Sequence, residues 1–425
     1  MPEGSAPTRR IALSILAVFT VINFVNYLDR YVLFAVLEPM SKDLGLRDTE
    51  SGFLGTAFIL VYALASPLLG QLGDKVSRKK ITAISVVLWS LATMGSGMAQ
   101  DYTTLFFMRA LVGVGEAGYA AVAPAVISDL FKPQERGRKL AYFYLATPMG
   151  SALGFLVGGA MADAYGWRMA FYVAGVPGLI MAATVLLLPE PARGASDEEP
   201  EPTITLPLAA TVRRLFRSPA WRINTVGMTL MTFTVGGLGA WMPTYLARAH
   251  GLSTGEAGTG FGAVTVLGGL IGTLVGGWLG DRAQARGAGG YFRVSGYGLL
   301  LGAPFAYLLT AQADATNTLI VAFAAELLLF LNTGPLNAAL MASVPATMRA
   351  RSMAVNVFII HVLGDAISPP LMGAISEARG PDLAIELTAI PLAIGGLALI
   401  LGARRMDREP QGLRAVDGEE SDASA

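Results

Sequence analysis

The sequence predicts an all-α membrane protein, with twelve transmembrane helices in two pseudo-symmetric six-helix bundles. Three observations carry that expectation. Of the 425 residues, 53% are hydrophobic and only 15% are charged, with a mean hydropathy of +0.53. Soluble domains are about 25% charged. The chain also divides into twelve apolar stretches of bilayer-spanning length, about 20 residues each. Finally, its polar motifs recur at half the chain length.

The twelve stretches are 11–39, 51–72, 80–99, 102–129, 138–162, 168–188, 220–247, 255–279, 292–310, 316–343, 350–376 and 382–402. Several contain Gly or Pro, which membrane helices tolerate when neighbours satisfy the freed backbone groups. Gly supplies 50 residues, an excess that suits membrane helices. Arg9 and Arg10 precede the first run as in a leader peptide, but no small-residue cleavage site follows. The expectation is an uncleaved first span.

Charge alternates between the connections. Twenty-three Lys and Arg residues fall on one side, from Arg9, Arg10, Lys75 and Arg78 through to Arg405, Arg408 and Arg414. Five fall on the other: Lys42, Arg47, Arg168, Arg248 and Arg379. Lys and Arg mark the cytoplasmic side, so both termini are expected inside. An even number of spans preserves this alternation.

Gly70-Gln-Leu-Gly-Asp74-Lys75 recurs as Gly277-Trp-Leu-Gly-Asp281-Arg282, 207 residues later. Arg136-Gly-Arg138 recurs as Arg349-Ala-Arg351, 213 residues later. A two-fold internal repeat follows, as in many transporters. The organisation expected is a cytoplasmic tail at 1–10, a first bundle at 11–188, a linker at 189–218, a second bundle at 219–405 and a disordered tail at 406–425. The linker carries Asp197-Glu-Glu-Pro-Glu-Pro202, acidic and proline-rich. Arg213, Arg214 and Arg217 point to a short amphipathic helix on the inner surface.

Composition also excludes classes. Thirty-one basic and thirty-one acidic residues give zero net charge, so nucleic acid is not an expected partner. There is no Cys, which removes thiol chemistry and disulfides. The two histidines, His250 and His361, leave no His-rich metal set. No cofactor, metal or catalytic constellation is expected, and the chain does not read as an enzyme.

Ionisable residues inside a span are costly and point to function. Asp29 and Arg30 lie in span 1, Arg109 and Glu116 in span 4, Glu326 in span 10 and Asp365 in span 11. Seven residues separate Arg109 from Glu116, which places both on nearly one helix face, about 10 Å apart along the axis. Depth along the spans pairs Asp29 with Arg109 and Arg30 with Glu116 if the helices are neighbours. The functional reading is a proton- and substrate-binding cluster. The competing reading is a static ion-pair set that orders the helices.

Arg30, Arg109, Asn26, Tyr27, Tyr119, Glu326 and Asn332 are the candidate substrate contacts. For the neutral residues among them, interhelical hydrogen bonding is the alternative. Asp365 follows His361 by four residues, so the two share a face and form a possible proton relay. A polar helix contact is the alternative there.

These motifs resemble the major facilitator superfamily. Gly70-Gln-Leu-Gly-Asp74-Lys-Val-Ser77-Arg78-Lys79 resembles its loop 2–3 signature, with Ser77 in place of the usual Gly. Arg109-x-x-x-Gly113-x-Gly115 resembles its span 4 motif. Gly150-x-x-x-Gly154-Phe155-x-x-Gly158-Gly159 resembles its antiporter motif, with Phe155 in place of Pro. Asn26-Tyr-Leu-Asp29-Arg30, Arg109 to Glu116, and Leu363-Gly-Asp365-Ala-Ile-Ser-Pro369 are similar to the Spinster-type branch.

The resemblance implies a central cavity with alternating access, proton coupling through Asp29 and Glu116, and Arg30 and Arg109 near a ligand head group. It implies a cytoplasmic latch in which Asp74 faces the inner end of span 11 and Arg78 pairs with Asp129. The expected protein is a monomeric, multi-pass transporter of a bacterial inner membrane. It would move an amphipathic lipid-like or small organic substrate with protons. An uncoupled uniporter of a small organic or lysolipid substrate is the alternative.

Overall fold

Long apolar runs favour helix in a bilayer, because only a helix or a closed barrel satisfies its own backbone there. The computed structural model, which describes residues 8–191, 208–345 and 348–408, follows that rule. Among the described residues the chain is helical, with no strand. The expected acidic linker motif and disordered tail lie outside the described residues.

The helices are α1 (Arg9–Ala35), α2 (Leu37–Leu44), α3 (Asp48–Lys75), α4 (Arg78–Met98), α5 (Tyr102–Leu130), α6 (Pro133–Tyr144), α7 (Ala146–Tyr165) and α8 (Trp167–Leu187). There follow α9 (Leu208–Arg217), α10 (Pro219–His250), α11 (Thr254–Gln284), α12 (Gly290–Tyr307), α13 (Ala315–Phe330) and α14 (Thr333–Ala342). The last are α15 (Arg349–Ile360), a π-helical turn (His361–Asp365), α16 (Ser368–Arg379), α17 (Pro381–Glu386) and α18 (Ala389–Arg408).

Ten helical segments among the described residues are long and apolar enough to cross a membrane. The two other expected spans, 220–247 and 292–310, fold as α10 and α12. The first is diluted by Arg222 and several Thr and Gly residues. The second is long enough but is diluted by Arg293 and several Tyr and Gly residues.

Several expected spans are broken rather than continuous. The 138–162 stretch breaks at Leu145, and 316–343 breaks at Leu331 and Asn332. The Asn332 amide donates to the Leu329 carbonyl and competes with the helical ladder. In 350–376, Pro369 and Pro370 follow a π-helical turn. A proline N–H is missing, so a regular i to i−4 ladder cannot run through them.

The internal repeat shows in the turns as well as the motifs. Among the described residues, the glycines with positive φ are Gly45, Gly166, Gly251 and Gly380. Gly45 and Gly251 lie 206 residues apart, and Gly166 and Gly380 lie 214 apart. The helix caps repeat too. Asp101 accepts from the Thr104 N–H at 2.8 Å, and Asp314 accepts from the Asn317 N–H at 2.9 Å. Each cap offsets an orphaned N–H of a helix start.

The described chain falls into two units. One holds residues 8–191 with Ala240–Val266; the other holds 208–239, 267–345 and 348–408. In the first, Phe19, Ile22, Val86, Trp89, Val112 and Ile127 form a buried core. Small residues bring its helices together. A Cβ on Gly113 of α5 would lie 2.5 Å from the Phe58 carbonyl oxygen of α3. One on Gly115 would lie 2.7 Å from the Trp89 nitrogen of α4, and one on Gly154 of α7 would lie 2.5 Å from the Leu28 oxygen of α1.

Polar bonds close the ends of this unit. Asp43 accepts from Arg168 at 2.6 Å and from the Trp167 indole at 3.1 Å. Those donors, Arg168 first, hold the Asp43 carboxyl below the usual range. Their contribution is present above the ordinary Asp range and is lost as the pH falls through the lowered value.

In the second unit, Leu299, Leu329, Leu336, Leu392 and Leu399 form the core. The expected amphipathic helix is α9, with Leu215 buried and Arg213 exposed. It packs with Trp221, whose indole donates to Ser352 at 2.9 Å.

A substitution at a close approach should therefore cost more than one in open space. Gly154→Leu is expected to lower stability by about 1–3 kcal/mol or more. Gly277→Ala, with nothing within 4 Å of its new Cβ, should be neutral or stabilising by up to about 1 kcal/mol. Thermal unfolding of the two variants in detergent checks this.

Candidate functional site

Span-buried charge concentrates at one place in the first unit. Asp29 and Arg30 come from α1, Arg109 and Glu116 from α5, and Thr93 from α4. Asp29 and Glu116 are 0% exposed and Arg109 is 1% exposed. Two acids and two bases sum to zero formal charge, the condition for carrying them into an apolar interior.

Arg30 and Glu116 form the ion pair that their depths suggest. The Arg30 Nη2 lies 2.6 Å from Glu116 Oε2, and Nε lies 3.2 Å from the same oxygen. Aromatic rings surround the guanidinium. Its carbon lies 4.7 Å from the Phe58 centroid, 4.8 Å from Tyr27 and 5.3 Å from Tyr62. Arg109 also lies against Phe58, at 5.4 Å. Cation–π attraction is strongest where the cation is desolvated, as here.

The expected Asp29–Arg109 pair does not form. Asp29 Oδ2 instead accepts from the Thr93 hydroxyl at 2.5 Å. Asp29 and Arg30 point about 100° apart on α1, and that turn aims Asp29 at α4. Four buried polar atoms of the cluster have no hydrogen-bond partner in the protein: Asp29 Oδ1, Arg109 Nε, Arg109 Nη1 and Glu116 Oε1. The Asn26 amide nitrogen, one turn before Arg30, is a fifth. Buried polar atoms are ordinarily satisfied, so the cluster keeps hydrogen-bonding capacity that the protein itself does not use.

The other site residues are dispersed. Tyr119 is buried, and its hydroxyl donates to the Phe19 carbonyl at 2.7 Å, an interhelical bond away from the charges. Glu326 and Asn332 belong to the second unit. Glu326 is 2% exposed with Oε2 unpartnered, and the Asn332 amide is turned back to the Leu329 carbonyl of α13. His361 Nδ1 lies 3.0 Å from both carboxyl oxygens of Asp365, inside the π-helical turn. Arg78 and Asp129 form an ion pair at the end of the first unit. The side chain of Asp74 lies outside the described residues.

Thr93, Phe58 and Tyr62 join the cluster without being among the residues expected from the sequence. The two aromatics are four apart on α3 and therefore share a face. That spacing was a usable signal, whereas a single Thr in a span is not. Glu190 is likewise not among the expected residues. Its carboxylate accepts from the Ser77 hydroxyl at 2.5 Å and the Arg78 N–H at 2.7 Å, capping α4. The Ser that departs from the loop signature thus has a partner here.

Comparison with known proteins agrees with the fold and the motifs. The model of the Major Facilitator Superfamily matches residues 19–369. The chain is 34% identical over 409 residues to Protein spinster homolog 1 of Xenopus tropicalis, covering 91% of this chain and 77% of that protein. It is 33% identical over 433 residues to Protein spinster homolog 1 of Homo sapiens, covering 93% and 81%. The fold matches the crystal structure of a bacterial homologue of the human lysosomal transporter Spinster. The TM-score is 0.86 at 22% identity, covering 94% of this chain and 98% of that one.

The Asp29–Thr93 bond predicts a measurable coupling. Thr93→Val leaves a buried carboxylate unsatisfied and should destabilise the protein by about 1–3 kcal/mol. In an Asp29→Asn background the same change should cost clearly less, because the charge is gone. A double-mutant cycle on thermal or denaturant unfolding reads the difference.

Proposed function

Since the chain belongs to the major facilitator superfamily and, within it, to the Spinster family, we propose that this multi-pass membrane transporter is proton-coupled and moves an amphipathic lipid-like or small organic substrate. Alternating access follows from the family. The observation that carries the finer reading is the neutral, buried four-charge cluster with unpartnered atoms on both its acids and on Arg109.

The coupling works through competition for Arg30. With Glu116 ionised, its carboxylate holds Arg30 at 2.6 Å. A proton on Glu116 removes the charge that holds the guanidinium, and Arg30 becomes free for an anionic head group. Arg109 presents Nε and Nη1 without a partner and supplies the second cation. Arg suits phosphate and carboxylate through its planar fork. Asp29, bonded only through Oδ2, is the second proton-accepting carboxylate. Asn26 and Tyr27 border Arg30 on α1 and complete the polar contacts.

In this reading twelve spans form two six-helix bundles in a bacterial inner membrane, with both termini cytoplasmic and the protein a monomer. The bundles run over 11–188 and 219–405. Asp74, Arg78 and Asp129 act as a cytoplasmic latch, and the His361–Asp365 pair relays protons. Glu326, Asn332 and Tyr119 are further substrate contacts. Phe155, which stands where antiporters carry Pro, favours a second reading: an uncoupled uniporter whose charges only hold α1 against α5.

Proteoliposomes holding a pH-sensitive dye separate the two. Candidate lysolipids and amphipathic cations are added with and without an imposed proton gradient. Ligand-driven proton movement is expected in the parent and is expected to be lost in Asp29→Asn and in Glu116→Gln. Equal flux with and without the gradient in all three proteins establishes the uniporter instead.

A further inference from the structure

The end of the first unit opposite Arg78 holds a charge arrangement that the transport cluster does not use. Arg248 lies in the last turn of α10. Its Nη1 and Nη2 each lie 2.8 Å from a separate oxygen of Asp48, a two-pronged contact. Its Nε lies 2.6 Å from Glu38 Oε2. Asp48 opens α3 and Glu38 belongs to α2, so one guanidinium ties the end of α10 to two helices some 200 residues earlier.

Neighbouring contacts reinforce it. Asp163, near the end of α7, accepts from the Gly255 N–H at 2.8 Å in the first turn of α11, where the helix dipole favours a carboxylate. Beneath this, a Cβ on Gly159 would lie 2.6 Å from the Thr254 carbonyl oxygen. Phe155 and Phe261 meet edge to face at 5.5 Å.

We propose that Arg248 is the bolt of an outer latch, which Glu38 and Asp48 hold while the outer ends of α10 and α11 pack on α2, α3 and α7. Outward opening requires those ends to part, so Arg248 has to leave both carboxylates. The inference rests on alternating access and is independent of proton coupling.

Burial suits the role. The side chains of Arg248, Asp48 and Glu38 are 29%, 14% and 8% exposed. Fully exposed ion pairs contribute little, and fully buried ones are costly to break. A pair at the edge of water holds one state and still releases. Glu38, the most buried of the three, also keeps Lys42 at 2.9 Å on its own helix. Its charge is therefore not orphaned when Arg248 leaves. Lys at position 248 would keep the charge but lose the planar fork that serves three bonds.

The absence of Cys from the sequence makes the test direct. Thr103→Cys and Ala249→Cys, both exposed positions of the first unit, carry spin labels, and pulsed electron resonance reads the distance distribution in nanodiscs. Arg248→Ala is expected to raise the longer-distance population at least about tenfold, from the worth of charge-assisted hydrogen bonds. Arg248→Lys should fall between and serves as the test if the Ala variant does not fold. Arg248→Asp should lengthen the distance, and Arg248→Asp combined with Asp48→Arg should bring it back. An unchanged distribution in Arg248→Ala or Arg248→Lys overturns the proposal. So does a charge swap that fails to restore the parent distance. Because the readout is a distance and not transport, failure here leaves the transport reading standing.

Discussion

A formal charge carried into an apolar interior has to meet its opposite there, and in this protein that requirement fixes where four helices converge. Arg30 on α1 and Glu116 on α5 are bonded at 2.6 Å, which sets the register of one helix on the other. Between Arg109 and Glu116 stand Gly113 and Gly115. The first lets the α3 backbone approach at Phe58, and the second lets α4 approach at Trp89. The same approaches deliver the Phe58 ring to both guanidiniums and, one turn on from Trp89, the Thr93 hydroxyl to Asp29. Small residues and buried charges on α5 are thus one arrangement: the glycines admit the helices whose side chains the charges need.

This cluster differs from the other polar contacts in the same unit in how many unsatisfied atoms it gathers in one place, where Thr82, Ser90 and Thr244 each leave a single hydroxyl. The Tyr119 hydroxyl has the Phe19 carbonyl, and the Asn23 amide reaches the Phe143 carbonyl at 3.1 Å and Thr147 at 3.3 Å. Those bonds tie helices together and leave nothing over at the donor. Asp29, Arg109 and Glu116 each keep at least one buried atom without a partner. An unsatisfied buried polar group costs about 1–3 kcal/mol. A set of them in one place is hard to retain for helix register alone, since a single bonded pair provides that. The unpaired atoms are what the proposed transport role rests on.

The spans and the cluster differ in how far they could be read from the residues. Spans are legible because the bilayer imposes a length and excludes charge, and both survive in the order of amino acids. Breaks inside a span are not. Leu145 and Asn332 interrupt helices without changing how apolar the stretch is, and the π-helical turn at His361–Asp365 lies in a stretch whose hydropathy does not mark it. The Arg30–Glu116 pair was legible because seven residues on a helix return to one face and counting along two spans compares their depths. The Asp29–Thr93 bond was not. It depends on which helix fills the sector 100° from Arg30, and one Thr among many carries no mark of it. The placement of Ala240–Val266 in the first unit is likewise spatial, because chain order puts that segment after the linker.

Helix ends complete the logic of the first unit. At one end Glu190 caps the start of α4, Lys79 donates to the Leu186 and Leu188 carbonyls at the close of α8, and Arg78 holds Asp129. At the other, Asp163 meets the start of α11 and Arg248 meets Asp48 at the start of α3. Each uses the partial charge that a helix carries at its terminus, or an ion pair beside it. Termini lie where water can solvate a released side chain, so bonds there can open without leaving a charge stranded in the apolar layer. The central cluster differs: the Glu116 side chain is 0% exposed, so parting Arg30 from it would leave a buried carboxylate without its counter-charge. Breaking an ion pair at an end is therefore less costly than breaking one at the centre.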